Sequence, residues 1–229
     1  MKSNYLLIIS ISMLIINLFF ILFLATFERV VYIIFFYHVS SAWLSYFSFG
    51  LSLIYHLLYL KHREIKWSRL GKNSVILGVI FSAVTLITGS LWFNATSGGY
   101  NNIFWSWGEP RQTTTLVLFL SYLSYLFFGD MIEERDQRAK LSSILGIVLF
   151  PTIPLSFFSA ILFSSLHPFI TPNPGQSGHI YWDPLKIFVL IFNLIAMTIL
   201  FIYLIRELGE LDIAKENLNR IIQKKLEEE

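Results

Sequence analysis

Residues 61–93, KHREIKWSRLGKNSVILGVIFSAVTLITGSLWF, place a basic segment directly before a long apolar one. The basic part, 61–72, holds five Lys or Arg residues, whereas 73–93 has no charged side chain. A bilayer core of about 30 Å requires an apolar helix of about 20 residues. Lysine and arginine collect at the cytoplasmic end of such a helix. The two parts together predict a membrane-spanning helix whose N-terminal end is cytoplasmic.

The whole chain has the composition of a membrane protein. Of its 229 residues, 55% are hydrophobic and only 14% are charged, and the mean hydropathy is +0.63. A soluble domain of this size carries more charge. Six apolar segments are long enough to be helices in a bilayer: 5–25, 30–60, 73–93, 114–130, 141–166 and 183–205.

The connectors between these segments alternate in charge, which predicts the side of the membrane on which each one lies. Segments 61–72 and 130–140 hold five and three Lys or Arg residues, whereas 94–113 holds only Arg111 and 165–182 holds none. Basic connectors stay in the cytoplasm. The expected fold is therefore an all-α integral membrane protein with six transmembrane helices. Both termini are expected in the cytoplasm, and the loop between helices 3 and 4 on the outer face.

Two segments depart from a simple membrane span. Segment 30–60 has 31 residues, more than a bilayer needs, so we expect 30–37 to lie along the outer interface or to pack obliquely, and the span to start near His38. Segment 206–229 mixes apolar and charged residues at helical spacing, which predicts an amphipathic cytoplasmic tail. The predicted organisation is a six-helix domain, 1–205, followed by that tail.

Several classes of function are excluded by residue types or motifs that the sequence lacks. The chain has no cysteine, so it forms no disulfide, no thiolate metal site and no thioether bond to a cofactor. A net charge of +2 provides no dense basic face for nucleic acid. A GxxxxGK[ST] loop is also absent, so energy from ATP would have to come from another subunit. The expected surroundings are the lipid bilayer.

The predicted topology brings two histidines and one aromatic loop to the outer face. His38 lies near the outer end of helix 2, His167 follows helix 5, and residues 104–115, FWSWGEPRQTTT, lie between helices 3 and 4. Histidines at membrane depth are functional candidates, and two imidazoles from different helices suit the axial positions of a haem iron. Aromatic rings can cover the macrocycle, and arginine can pair with a propionate. The loop residues of these types are Phe104, Trp105, Trp107 and Arg111.

The same residues also have simpler explanations. Tryptophan is enriched at membrane interfaces, so an aromatic belt would also place indoles in this loop. His56 and His62 lie near the basic connector and are interpreted as solvated, while His179, in the outer loop GHIYWDP, is a weaker ligand candidate. Thr88 and Gly89 are small, which suits either ordinary helix packing or the close approach of a planar ligand.

Four short motifs follow one another in a specific order and spacing. FYHVSSAW contains His38, TGSLWF contains Trp92, IFWSWGEPRQTTT contains the two loop tryptophans, and SSLHPF contains His167. Together they resemble the haem exporter protein C family of the cytochrome c maturation system, over about residues 28–205. The corresponding family patterns are a YLHVP-like stretch, a TGSxWG-like element, a motif of approximately WGxWWxWDxRLTS and a histidine after helix 5.

The resemblance implies haem b as the ligand and His38 and His167 as the axial ligands of its iron. Two departures concern the neighbouring motifs: Gly108 is inserted before Glu109, which stands in place of the family's aspartate, and Ser40 replaces a proline. Gly108 can absorb the insertion as a turn, so that Glu109 reaches the aspartate's position. The other residues implied to contact haem are Phe104, Trp92, Trp105, Trp107, Glu109 and Arg111.

The resemblance also implies a function and a set of partners. Such a protein is not an enzyme. It binds haem at the periplasmic face of the bacterial inner membrane and presents it to a membrane-anchored haem chaperone during c-type cytochrome biogenesis. An ABC transporter ATPase, its membrane subunit and a small membrane subunit complete the complex. The alternatives are a cytochrome c synthase, which would need a larger outer surface, and a haem b electron carrier, which would not need an exposed aromatic loop.

Overall fold

A computed structural model of the chain is helical almost throughout. It describes residues 4–24, 32–96, 103–167, 169–171, 179–181 and 184–228. The helices are α1 (Asn4–Phe19, continued by a π-helical turn, Phe20–Leu24), α2 (Tyr32–His62), α3 (Ile65–Thr96), α4 (Pro110–Asp130), α5 (Arg135–Leu149), α6 (Thr152–Leu162) and α7 (Pro184–Glu228). Two three-residue strands, β1 (Phe169–Thr171) and β2 (His179–Tyr181), pair in parallel with Phe169 opposite His179.

In the described part of the chain, five helical segments are long and apolar enough to cross a membrane, which is consistent with an integral membrane protein. The segments are Asn4–Phe23, Ile33–His62, Ile65–Thr96, Arg135–Leu162 and Pro184–Glu227. The fourth predicted span, 114–130, lies within α4, a helix of 21 residues whose hydroxyl groups reduce its hydropathy. At about 1.5 Å per residue, α4 is about 32 Å long. The sixth span and the orientation of the termini and loops stay predictions.

Three segments differ in shape from the sequence-based expectation. Helix α2 runs without a break from Tyr32 through His38, so the extra length of segment 30–60 extends the helix itself. Segment 141–166 is divided between α5 and α6, because Pro151 has no backbone N–H to continue a helix and α6 starts directly after it. Helix α7 has 45 residues, so the tail that begins at residue 206 is a direct extension of the last span.

Small and polar side chains hold the helices together, as is common in membranes, where apolar contact with lipid competes with apolar contact between helices. The amide of Asn17 on α1 donates to Asn193 Oδ1 on α7 at 3.0 Å, and Asn193 Nδ2 donates to the Phe36 carbonyl on α2 at 3.0 Å. At the centre, the rings of Phe49 and Tyr122 stack at 3.9 Å. These contacts join α1, α2, α4 and α7 into one bundle.

His56 is buried, and its interpretation as a solvated residue was wrong. Its side chain is 0% exposed, Nδ1 lies 3.2 Å from Ser143 Oγ, and Nε2 lies 3.1 Å from Tyr125 Oη. A Cβ at Gly71 would come within 2.5 Å of the ring, and one at Gly146 would also overlap it. His56 thus joins α2 to α4 and α5 with both ring nitrogens in use. His62, at the end of α2, is exposed as expected.

A carboxylate attaches the extension of α7 to the rest of the protein. Glu216 accepts from Arg69 on α3 and Arg135 on α5, both at 3.0 Å, and from Arg220 one helical turn away at 3.3 Å. One turn earlier on α7, Asp212 accepts from Asn73 Nδ2 of α3 at 2.9 Å. The basic segment 61–72, which indicated the topology and runs into the first turns of α3, therefore also contacts α7 through Arg69.

We predict that Glu216→Gln loosens this extension. The side chain is only 24% exposed and pairs with three cations, so losing its charge should raise amide exchange in residues 206–228 roughly fivefold. Hydrogen exchange by mass spectrometry measures this. Glu210→Gln removes the same charge from an exposed position on α7 and should change little. Equal exchange in both variants would contradict the role of Glu216.

Candidate functional site

A cleft opens where the N-terminal part of α2 and the C-terminal part of α3 meet the start of α4 and the segment after α6. It is partly open to the outside and has a volume of about 90 Å³ that water-sized molecules can occupy. Six of the eight residues predicted for the site line it: His38, Trp92, Trp105, Glu109, Arg111 and His167. Phe104 and Trp107 are not among the lining residues, and their side chains are 43% and 74% exposed. The structure thus brings both histidines and part of the aromatic loop together.

The His38 ring is held by α3. Its Nδ1 lies 3.0 Å from Thr88 Oγ1, and the Thr88 hydroxyl also lies 2.7 Å from the Val84 carbonyl and 3.2 Å from the Thr85 carbonyl. When a carbonyl takes the hydroxyl proton, Thr88 Oγ1 accepts from His38 Nδ1 and the ring lone pair is on Nε2. A Cβ at Gly89 would lie 3.0 Å from His38 Cε1, so the small residue makes room for the ring. Thr88 and Gly89 together position the His38 ring.

The aromatic loop is closed against the start of α4. Ser106 N donates to Gln112 Oε1 at 2.9 Å, Glu109 N donates to the Ser106 carbonyl at 3.0 Å, and Thr113 Oγ1 donates to the Trp107 carbonyl at 3.1 Å. Glu109 is the N-cap of α4, and a proline occupies the first position of the helix, where its missing N–H has no cost. The loop backbone is thereby satisfied by the helix that follows it.

Glu109 also binds the segment that carries His167. The carboxylate is 5% exposed and accepts from Leu166 N at 2.9 Å and from the Ser165 hydroxyl. Ser165 Oγ in turn accepts from His167 N at 3.0 Å. A buried carboxylate needs hydrogen-bond donors of this kind, because loss of hydration is costly. The aromatic loop and the His167 segment are consequently joined through one side chain.

Arg111 contributes the positive charge of the cleft wall. Its Nη1 donates to the carbonyls of Ser156, at 3.1 Å, and Phe157, and the guanidinium lies 5.9 Å from the centre of the Phe157 ring. The middle of α6 therefore holds the arginine in place. The predicted pairing of Arg111 with a propionate would use the rest of the guanidinium, since an arginine has five N–H donors.

Two buried donors in the cleft have no hydrogen-bond acceptor among the described residues. They are Trp105 Nε1 and Gln112 Nε2, and both side chains line the cleft. An unsatisfied buried donor costs about 1–3 kcal/mol. A ligand with carboxylate oxygens would satisfy both, and the surrounding wall of Phe35, Trp92 and Leu86 suits a flat apolar body. The residues present fit a haem, which combines a metal, an apolar disc and two carboxylates.

Sequence reasoning missed three residues that shape this site. Thr88 had been noted only as small, whereas its hydroxyl orients His38, and Gln112 and Ser165 had not been singled out. Gln112 is adjacent to Arg111 in the aromatic motif, and Ser165 is two residues before His167, so proximity to predicted ligands was the available signal. His179 begins β2, and its side chain lies outside the part of the chain that the structure describes.

Comparison with known proteins agrees with the resemblance of the four motifs. The family model described as "Heme exporter protein C" matches residues 2–220. The chain is 30% identical over 176 residues to the heme exporter protein C of Rhodobacter capsulatus, covering 75% of this chain and 69% of that one. It is 31% identical over 172 residues to that of Bradyrhizobium diazoefficiens, covering 75% and 62%.

A plant relative extends the comparison. The chain is 30% identical over 154 residues to an Arabidopsis thaliana protein named "Putative cytochrome c biosynthesis ccmC-like mitochondrial protein", covering 67% of this chain and 54% of that one. The matches to the plant and Bradyrhizobium proteins thus span less than two thirds of those relatives' length. The family model, in contrast, covers nearly the whole of this chain. The chain belongs to the haem exporter protein C family.

Proposed function

We propose that this protein binds haem b in the cleft and presents it for transfer during the biogenesis of c-type cytochromes. The family supports a role in haem handling. The observation that carries the proposal is that His38 and His167, far apart in sequence, line one cleft together with Trp92, Trp105 and Arg111. Haem is the cargo here, held without a covalent bond because the chain has no cysteine.

Each group of residues has a separate role in this proposal. His38, through Nε2, and His167 are the axial ligands of the iron. Trp92 and Trp105 cover the macrocycle, while the carboxylates meet Arg111 and the two buried donors, Trp105 Nε1 and Gln112 Nε2. Non-covalent ligation of this kind lets the haem leave when an acceptor offers a better site.

The two exposed aromatic residues support presentation to a partner. Phe104 and Trp107 lie in the same loop as Trp105 but outside the cleft, and large exposed aromatic side chains are typical of binding surfaces. We propose that they contact a membrane-anchored haem chaperone. An electron carrier would gain nothing from such a surface. The site would face the periplasm from the inner membrane of a bacterium, and the protein would be a non-catalytic subunit.

The remaining partners follow from the need for energy. An ABC transporter ATPase, its membrane subunit and a small membrane subunit would release the loaded chaperone, since this chain has no ATP-binding loop. The helical extension of α7 is the proposed contact for the ATPase subunits.

The axial ligands are tested by His38→Ala and His167→Ala. Purified protein with added haem should show the absorption spectrum of a six-coordinate low-spin iron, and each variant should change to a high-spin spectrum and bind haem roughly tenfold more weakly. The double variant should bind only weakly. His62→Ala, at an exposed position, is the control. Equal spectra and affinities for the double variant and the native protein would refute this assignment.

The role of Thr88 is tested by a pair of variants. Thr88→Val leaves His38 Nδ1 without its acceptor, so haem affinity should fall about 10- to 100-fold, the usual effect of losing a hydrogen-bond partner of a metal-binding histidine. Thr88→Ser keeps the hydroxyl and should restore most of the affinity. Haem titration followed by absorbance measures both. The hydroxyl has no such role if the valine and serine variants bind alike.

The carboxylate contacts are tested with a modified haem. Haem dimethyl ester lacks the negative charges, so the native protein should bind it roughly tenfold more weakly than haem. Gln112→Ala and Trp105→Phe each remove one buried donor and should reduce this preference. Thr113→Val, which changes a neighbouring loop hydrogen bond, should retain it. An unchanged preference in both donor variants would place the carboxylates elsewhere.

A further inference from the structure

We infer that Glu109 is a positioning residue for His167, and that it makes the aromatic loop and the second iron ligand one structural unit. This inference rests on the proposed function, because it assumes that His167 binds iron. It differs from the role that the sequence suggested, in which Glu109 contacts the haem directly.

The Glu109 carboxylate is bound by the segment before His167. Both oxygens of Glu109 accept hydrogen bonds from the segment before His167: Oε1 from the Ser165 hydroxyl and Oε2 from the Leu166 amide, at 2.9 Å. The Arg111 amide, 3.4 Å from Oε1, adds the N-terminal end of α4. With these donors the buried charge is stabilised inside the protein, so a haem contact is not needed to explain it.

The segment that carries His167 depends on Glu109 for its backbone hydrogen bonds. Helix α6 ends at Leu162, Phe163 N still donates to the Ser159 carbonyl of that helix at 3.0 Å, and residues 164–167 belong to neither a helix nor a strand. Two backbone N–H groups in this segment are accounted for through Glu109: Leu166 N directly, and His167 N through Ser165 Oγ at 3.0 Å. Without the carboxylate these groups would have to find other acceptors, and the backbone at His167 would change conformation.

The backbone of Glu109 belongs to the aromatic loop and to the start of α4. Glu109 is the N-cap of α4 and closes the loop through its own N–H to the Ser106 carbonyl at 3.0 Å. The exposed Trp107 lies between these two positions. A displacement of the loop at Trp107 would therefore also move the Glu109 carboxylate, which binds the His167 segment. A partner that binds the loop would weaken the bond between iron and His167, which favours haem release.

The inference is tested first without haem. In Glu109→Ala, amide exchange in residues 163–167 should rise at least tenfold, because the Leu166 amide loses its acceptor. Glu109→Gln keeps one acceptor oxygen and should give an intermediate rise. Thr113→Val, which removes a different hydrogen bond of the loop, should leave this exchange unchanged. Native exchange rates in both Glu109 variants would overturn the inference, whatever the ligands of haem are.

A second measurement separates a positioning role from general loss of structure. With haem added, Glu109→Ala should give the spectrum of His167→Ala, and adding His167→Ala to it should cause no further loss of affinity. Adding His38→Ala to Glu109→Ala should cause an additional loss. A six-coordinate native spectrum in Glu109→Ala overturns the inference but leaves the proposed function intact. A native spectrum in His167→Ala refutes that ligand, while the exchange data still decide whether Glu109 positions the segment.

Discussion

The cleft depends on one buried carboxylate at the meeting point of two irregular segments. Residues 103–109 and 164–167 both lie beside the cleft outside any helix or strand, and several of their N–H groups pair with side chains instead of helix carbonyls. Unpaired backbone groups are costly where water is scarce. Glu109 caps α4 with one set of contacts and binds the 165–166 backbone and hydroxyl with the other. The irregular backbone that carries the aromatic loop and His167 can therefore exist next to an apolar bundle.

Two histidines at opposite ends of α2 show how similar surroundings lead to different chemistry. His38 lies against Gly89 with Nδ1 beside a threonine hydroxyl, and His56 lies against two glycines with Nδ1 beside a serine hydroxyl. The difference is the second nitrogen. In His56 it meets Tyr125 inside the bundle, whereas the His38 side chain lines the cleft. His56 is structural, and His38 lies where a ligand can reach it.

The sequence was a good guide wherever the signal is local. Apolar length located the helices, and the order of four motifs located six of the residues that line the cleft. The misjudged features depend on contacts between distant positions. His56 looked solvated because its partners, Ser143 and Tyr125, are 87 and 69 positions away. The haem contact predicted for Glu109 stays a prediction, but its bonds to the His167 segment were not foreseen, because the donors are 56 and 57 positions away. The division of segment 141–166 did have a local signal, Pro151, but the segment was predicted as one helix from its apolar length.

Helix α7 is continuous from the bundle through the tail to Glu228. A helix of 45 residues is about 68 Å long, more than twice the thickness of a bilayer core, so a large part of it projects beyond the membrane. Within the bundle, Asn193 of this helix donates to the Phe36 carbonyl and to Ser40 Oγ, two residues before and after His38. A displacement of the C-terminal end of α7 would therefore be transmitted through one continuous helix to Phe36 and Ser40, which flank His38.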